Sequence, residues 1–207
     1  MFTKTIELKG TREIQAMRQA GAIVASTLSV LSQAATAGVT TLELDKISRD
    51  ELAKKKAKPA FLGYHGFPAA LCVSLNSEVV HGIPSAKRKL VDGDIVSLDF
   101  GCIIDGLFAD AAVTVGVGKV SDKAVRLMTV ARESLERGIA AMKPGGRLGD
   151  VSSAVQEHCE KNGYSVVREF VGHGIGRALH EDPPVPNYGK AGTGMRFDEE
   201  SFERIKA

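Results

Sequence analysis

The stretch DIVSLDFGCIIDGLFAD, residues 94–110, decides the fold of this chain. Two runs rich in Val, Ile, Leu and Phe flank Asp105-Gly106, and an Asp-Gly pair in this position is a strong short-range signal for a β-hairpin. We therefore predict strands at about 94–103 and 107–117, joined by a two-residue turn. With that turn, Gly101 lies opposite Asp110 on the neighbouring strand.

The same pairing places two carboxylates side by side. Side chains alternate along a strand, so Asp99 shares a face with Gly101, and Asp110 is its diagonal neighbour, about 7 Å away at the backbone. Asp99 lies inside an apolar run, where an unpaired charge is costly unless a metal ion or a shared proton compensates it. The pattern favours a ligand or catalytic role for this pair, whereas Asp94 and Asp105 are typical strand-end and turn residues.

Composition places the chain among ordinary globular proteins. It has 207 residues, 43% of them hydrophobic and 25% charged, which is enough to bury a core. A net charge of +2 does not call for a nucleic acid or an anionic membrane as partner, and no apolar run reaches membrane-spanning length. The three cysteines, Cys72, Cys102 and Cys159, lack metal-finger spacing and are expected to be reduced thiols in a cytoplasmic protein.

Two helix pairs, each followed by extended segments, organise the rest of the chain. Their boundaries come from capping residues, apolar spacing and glycine stops. This plan predicts a pseudo-duplicated α+β domain in which helices cover one face of an antiparallel sheet. The predicted elements are a helix from Thr11 to Gly38, a helix from a capping box at Thr40–Glu43 to about Lys58, a strand Leu71–Leu75, a loop Asn76–Pro84, a helix from Ser121 to Lys143, a helix at 148–161 ending at Asn162-Gly163, and a strand Ser165–Phe170.

A histidine between glycines follows the last predicted strand, in GHGIGR at residues 172–177. The glycine spacing does not match the G-x-G-x-x-G pattern of nucleotide-binding loops. Glycines there allow close backbone approach, and a neutral imidazole beside carboxylates suits Zn, Fe, Co or Mn. A lone histidine is more often structural, which applies equally to His81 and His180, but together with the two aspartates His173 is a plausible third ligand.

Several ordered motifs together resemble one enzyme family, the bacterial type I methionine aminopeptidases. The motifs are YHGFP at 64–68, HGIP at 81–84, DGDIVSLD at 92–99, KPG at 143–145 and GHGIGR at 172–177. The resemblance runs from the first helix to about Gly194. It implies the pseudo-two-fold pita-bread fold, a single catalytic domain over residues 1–207, and removal of the initiator methionine from nascent polypeptides with two divalent ions, which are Co, Fe, Mn or Zn in the family.

Carried over position by position, the resemblance assigns a role to seven residues. It implies that Asp99 chelates one metal, that Asp110 bridges both, and that His173 binds the other. It implies that His81 and His180 contact the scissile peptide and its leaving amine. Tyr64 and Cys72 match residues of the pocket for the methionine side chain, and an apolar, slightly soft pocket suits a thioether.

The resemblance is incomplete at the C-terminal end. The family has two further glutamate ligands on C-terminal strands, the first before a proline, and this sequence ends before either. Among Glu199, Glu200 and Glu203 a replacement ligand is disfavoured, because a charged tail is usually solvated. We expect weaker dimetal binding, an exposed sheet edge and exposed apolar surface. Leu179 replaces a residue that is often aromatic in the family, in the wall of the substrate pocket.

Three hypotheses follow from these observations. The first is a methionine aminopeptidase that acts on nascent N-termini near the ribosome. The second is a catalytically impaired remnant or paralogue that keeps the fold as a binding module. The third, another pita-bread enzyme such as a proline dipeptidase, is disfavoured by the YHGFP and HGIP segments.

Overall fold

The computed structural model describes residues 6–198, which form two compact units. The hairpin unit comprises Gln15–Val125 and Ile175–Leu179. The histidine-loop unit comprises the described parts of Met1–Ile14, Arg126–Gly174 and His180–Ala207. The candidate ligands Glu199, Glu200 and Glu203 lie outside the described residues.

Four helices and six strands make up the described chain. None of these helices is both long and apolar enough to cross a membrane. The helices are α1 Thr11–Ala34, α2 Thr41–Lys54, α3 Asp122–Ala141 and α4 Leu148–Lys161, with one 3-10 turn at Tyr64–Gly66; the strands are β1 Lys58–Pro59, β2 Leu71–Leu75, β3 Ile95–Ile104, β4 Leu107–Gly116, β5 Gly172–Gly174 and β6 Glu181–Val185.

The β3–β4 hairpin has the predicted register. Ile104 pairs with Leu107, and Gly101 pairs with Asp110. Asp105 and Gly106 both have positive φ, at 50° and 79°, as the favoured two-residue hairpin turn requires. The turn chemistry visible in the sequence therefore fixes which side chains share a face.

All strand pairs of the hairpin unit are antiparallel. β1 and β2 both pair with one edge of β3, and β4 pairs with the other edge. Every second residue of β3 from Val96 onward is buried, and the residues between them are half-buried except Gly101. Asp99 therefore lies on the face of β3 opposite to its fully buried residues.

Helices α1 and α2 pack on the buried face of this sheet. The predicted capping box starts α2, because the Thr40 side chain accepts a hydrogen bond from the Glu43 N–H while the Glu43 carboxylate accepts one from the Thr40 N–H. The helix ends at Lys54, a few residues earlier than predicted. The central core residues are Ala20, Val24, Leu28 and Leu31 of α1, Leu44 and Leu52 of α2, and Leu71, Val73, Val96, Leu98 and Phe100 of the sheet.

In the histidine-loop unit, α3 and α4 have the predicted positions. Gly163 has a φ of +81°, which confirms the left-handed end of α4. Gly138 allows close packing of the two helices, because a Cβ there would lie 3.0 Å from a methyl carbon of Val155. Leu135 and Ile139 of α3 are 59% and 61% exposed. The apolar surface of α3 is thus only partly covered.

The predicted strand Ser165–Phe170 is wrong. Residues 165–170 have no strand geometry, and Val167 and Phe170 are exposed. Their carbonyl oxygens accept hydrogen bonds from the Asn187 side-chain amide, at 3.1 and 3.3 Å. A side chain therefore satisfies backbone groups that a neighbouring strand would otherwise satisfy.

Candidate metal centre and substrate pocket

The Asp99 and Asp110 side chains meet on the open face of the hairpin. Asp99 has Ala112 as its register partner on β4, two positions from Asp110. The two carboxyl groups hydrogen bond to each other, so below about pH 8 they share a proton when no cation is present. Burial, followed by the charge of Asp110 and this hydrogen bond, raises the pKa of Asp99 to about 8. Burial and mutual repulsion both disfavour a second negative charge on the pair, and a bound divalent ion would compensate that charge.

A buried thiol adjoins the carboxylate pair. Cys72 on β2 is the register partner of Asp99 and is 4% exposed. Burial and the negative charges of Asp99 and Asp110 raise its pKa to about 12. The thiol therefore stays protonated and apolar, which suits a pocket wall better than a nucleophile or a metal ligand.

Gly101 makes room beside the pair. A Cβ on this residue would lie 2.9 Å from the Phe61 ring and 3.0 Å from the Cβ of Ala60. The absence of a side chain lets an aromatic ring pack beside the strand position opposite Asp110. The sequence alone does not distinguish a glycine with this packing role from one that only weakens a strand.

A small apolar cluster lies in the hairpin unit, separate from the main core. Its buried members are Ala60, Phe61, Cys72 and Leu179, and Tyr64, Phe67, Ile103, Phe108 and Ile175 pack against them. The structure therefore brings Tyr64 and Cys72, both predicted pocket residues, into one cluster. Leu179, the departure from the family pattern, is 3% exposed and fills part of the same cluster.

The loop that carries His81 is held against β2. His81 has a φ of 60° and is exposed. Gly82, which follows it, donates its N–H to the Ser74 hydroxyl and accepts the Val73 N–H through its carbonyl oxygen. A Cβ at Gly82 would overlap the Val73 carbonyl oxygen. The HGIP segment therefore needs this glycine to bring His81 next to the strand that carries Cys72.

In the histidine-loop unit, His173 and His180 contact each other. Their ring centroids are 4.2 Å apart with planes tilted by 52°. The His173 Nδ1 lies 2.9 Å from the Gly174 carbonyl oxygen. A carbonyl oxygen can only accept, so Nδ1 carries the proton, and in the neutral ring Nε2 holds the lone pair that a metal ion would take.

The glycines around His173 permit close contact between two strands. A Cβ at Gly174 would overlap the Asp182 carbonyl oxygen, and one at Gly172 would lie 3.3 Å from the Val185 Cβ. Strands β5 and β6 pair here with a register shift between His173 and Gly174. The close backbone approach expected of GHGIGR is therefore an approach to β6.

Asp45 is a functional support that the sequence reasoning missed. It is 3% exposed and accepts the N–H groups of Ala70 and Leu71 at 2.7 and 3.1 Å. Arg49 donates to its other oxygen at 2.7 Å. Asp45 thus fixes the start of β2, the strand that carries Cys72. The available signal was its position on the buried stripe of α2, beside Leu44.

The predicted ligands fall into two groups. Asp99 and Asp110 belong to the hairpin unit, and His173 belongs to the histidine-loop unit. Within residues 6–198, no group of three or more His, Cys, Asp and Glu side chains is arranged to hold a metal ion. The pair of carboxylates is therefore the part of the predicted metal site that the structure assembles.

Comparisons with known proteins give a consistent result. The model of metallopeptidase family M24 matches residues 15–202. The methionine aminopeptidase of Clostridium acetobutylicum is 50% identical over 192 residues, which are 93% of this chain and 77% of that protein. Methionine aminopeptidase 1 of Bacillus subtilis is 47% identical, over 91% of this chain and 76% of that protein. A crystal structure of methionine aminopeptidase from Thermotoga maritima superposes with a TM-score of 0.92 at 45% identity, covering 94% of this chain and 78% of that one.

Proposed function

Because this chain belongs to metallopeptidase family M24, we propose that it is a methionine aminopeptidase, a hydrolase that removes the initiator methionine from newly made proteins. Relatives with 47% and 50% identity carry that name, and the pita-bread fold of the family accommodates the described chain with a TM-score of 0.92. The proposal treats residues 1–207 as one catalytic domain. The third hypothesis, a proline dipeptidase, is less well supported, since the dipeptidase and prolidase structures match at only 22–23% identity.

The family uses divalent metal ions, and the proposal assigns Asp99, Asp110 and His173 to them. Two features fit: the shared proton of the aspartate pair, and the Nε2 lone pair of His173. When bound, such ions lower the pKa of water and polarise a peptide carbonyl group. The proposal leaves Co, Fe, Mn and Zn as candidates, because oxygen and imidazole ligands suit all four.

The apolar cluster around Tyr64 and Cys72 is proposed to hold the methionine side chain. Phe61 and Leu179 are buried in the same cluster. An apolar wall with a protonated thiol suits an unbranched thioether, and Cys72 is also the register partner of Asp99. The substrate side chain would therefore lie beside the carboxylate pair.

His81 and His180 are proposed to contact the peptide. Both are exposed, as residues that meet a substrate must be. Each is held at its backbone: His81 through Gly82, and His180 by its position directly before β6. Their proposed role is to hydrogen bond the scissile peptide and the leaving amine.

The partners proposed here are the N-termini of nascent polypeptides, near the ribosome in the cytoplasm. The described Cys72, Cys102 and Cys159 are free thiols, as expected in a reducing compartment. A net charge of +2 gives no reason to invoke direct binding of nucleic acid or membrane.

The observation that carries the proposal is the Asp99–Asp110 pair. Release of methionine from a Met-Ala-Ser peptide should be measured with metal-free protein and with added Co, Mn, Fe or Zn. We expect metal-dependent turnover that is lost in Asp110→Ala and kept in Asp105→Asn, which changes only the exposed turn. Turnover that survives Asp110→Ala would contradict the assignment of the pair.

A second candidate function is a binding module that has lost catalysis. It is favoured by one observation, the lack of a three-residue ligand group within residues 6–198. The same assay separates the two, combined with calorimetric titration of a Met-Ala-Ser peptide. Peptide binding without turnover at any metal concentration would support the binding module.

A further inference from the structure

A partly buried ion pair joins the segment before α1 to the strand that follows His180. The Lys9 Nζ lies 2.6 Å from the Glu181 Oε2, and the two side chains are only 11% and 21% exposed. The same ammonium donates to the Glu7 carbonyl oxygen at 3.0 Å. Both partners belong to the histidine-loop unit, although 172 residues separate them.

Glu181 lies next to both His173 and His180 in the β5–β6 strand pair. It is the first residue of β6, directly after His180, and its register partner is Gly174, directly after His173. The register shift between His173 and Gly174 lies at this pair. A change in the position of the Glu181 side chain therefore moves the backbone next to both histidines, whose ring centroids are 4.2 Å apart.

Lower exposure to solvent distinguishes the Lys9–Glu181 pair from an ion pair on the protein surface. Lys54 and Glu51 are one turn apart on α2, and the Lys54 side chain is 69% exposed, so that pair is worth little. Lys9 and Glu181 are largely removed from water, and loss of one charge leaves the other with poor solvation. The Lys9–Glu181 pair therefore constrains the geometry of β6 more than a surface pair could.

We propose that Lys9 is a positioning residue, whose ammonium acts through Glu181 to set the rotation of the His180 imidazole against His173. This inference rests on the proposed function, because it gives the two histidines their roles toward the substrate. Lys9 itself touches neither ring, and its effect passes through the backbone of residues 180 and 181. The segment before α1 is then part of the support of the site.

The first test uses imidazole signals of the metal-free full chain. Each ring lies in the ring current of the other, so the proton–carbon signals of His173 and His180 report their mutual rotation. Lys9→Met removes the charge and keeps the apolar stem, and we expect it to shift both signals, with Lys9→Arg restoring them. The matched control is Lys54→Met, and His158 on α4 is the internal reference.

A double substitution tests the route through Glu181. Glu181→Gln alone should shift the same two signals, and adding Lys9→Met to it should shift them no further. Unchanged signals in Lys9→Met, with urea unfolding showing a folded protein, would overturn the proposal. A further shift on adding Lys9→Met to Glu181→Gln would also overturn it, because Lys9 would then act by a route other than Glu181.

The second test uses the peptide assay. We expect Lys9→Met to lower kcat about tenfold, with KM within about twofold of the parent, because a misplaced group contacts the reacting bond less well. Lys9→Arg should recover most of the loss. A wild-type chain without turnover would contradict the proposed function alone, since the imidazole signals still decide whether Lys9 positions His180.

Discussion

Asp99 and Asp110 hydrogen bond to each other diagonally across the β3–β4 hairpin, because Asp99 pairs with Ala112 and Asp110 pairs with Gly101. Two carboxyl groups that share a proton in a half-buried place are strained by their own charge. A hairpin register fixed by a two-residue turn holds them there. The paired carboxyl groups therefore lower the stability of the metal-free chain, and the same arrangement favours binding of a cation.

The first prediction concerns the stability of the metal-free chain and its affinity for metal ions. Above about pH 8, where both carboxyl groups are ionised, Asp110→Asn should raise the free energy of unfolding of the metal-free chain by about 1 kcal/mol, because one of two repelling carboxylates becomes neutral. The same change should weaken Mn or Co binding at least about 100-fold, because a direct ligand matters more than an outer one. Urea unfolding in EDTA and calorimetric metal titration measure the two effects. Asp105→Asn should change neither, and stronger metal binding by Asp110→Asn would contradict the assignment.

The second prediction is a pH dependence of the metal-free chain. The folded state raises the pKa of Asp99 to about 8, whereas an unfolded aspartate titrates near 4. Between these values the folded chain holds the extra proton, so the free energy of unfolding falls as pH rises through this window and levels off above it. We expect a loss of about 1 to 3 kcal/mol from pH 5 to pH 8.

Urea unfolding in EDTA at several pH values measures this slope. Asp99→Asn removes the titrating carboxyl group and should flatten most of it, while Asp50→Asn on the exposed side of α2 should leave it as it is. A fall between pH 5 and pH 8 that is as steep in Asp99→Asn as in the parent would show that another group dominates.

Local signals account for what the sequence predicted well. The Asp105-Gly106 turn set the hairpin register, and the Thr40–Glu43 capping box set the start of α2. Both signals involve residues close in sequence, whose geometry depends little on the rest of the chain. The pairing of Asp99 with Asp110 followed from these rules alone.

Contacts between distant residues account for what the sequence did not predict. The sequence predicts a strand at Ser165–Phe170, but Asn187 donates to the carbonyl groups of Val167 and Phe170, and no local pattern indicates that contact. The Lys9–Glu181 pair spans 172 residues. Gly101 and Gly82 matter because of what lies across from them, which spacing along the chain does not reveal.

The third prediction concerns Gly82. Gly82→Ala should lower the free energy of unfolding by about 3 kcal/mol, because the new Cβ would overlap the Val73 carbonyl oxygen and nothing flexible can give way. Gly21→Ala is the matched control: apart from its chain neighbours and the backbone of α1, no atom lies within 4 Å of the added Cβ, so we expect up to about 1 kcal/mol of stabilisation. Thermal unfolding measures both. An equal effect of the two changes would mean that the loop shifts freely, and His81 would then not be fixed by β2.

The fourth prediction concerns the anchor of β2. Asp45→Ala leaves the buried N–H groups of Ala70 and Leu71 without their acceptor, and we expect a loss of about 3 kcal/mol in urea unfolding. Arg49→Ala removes the ion pair, whose Arg49 side chain is 40% exposed, and a long hydrogen bond of 3.4 Å to the Pro68 carbonyl oxygen, and it should cost about 0.5 kcal/mol. If the two changes cost the same, Asp45 acts through its charge and not through β2. A larger loss for Asp45→Ala, accompanied by faster alkylation of Cys72, shows instead that the carboxylate holds the strand on which the substrate pocket is built.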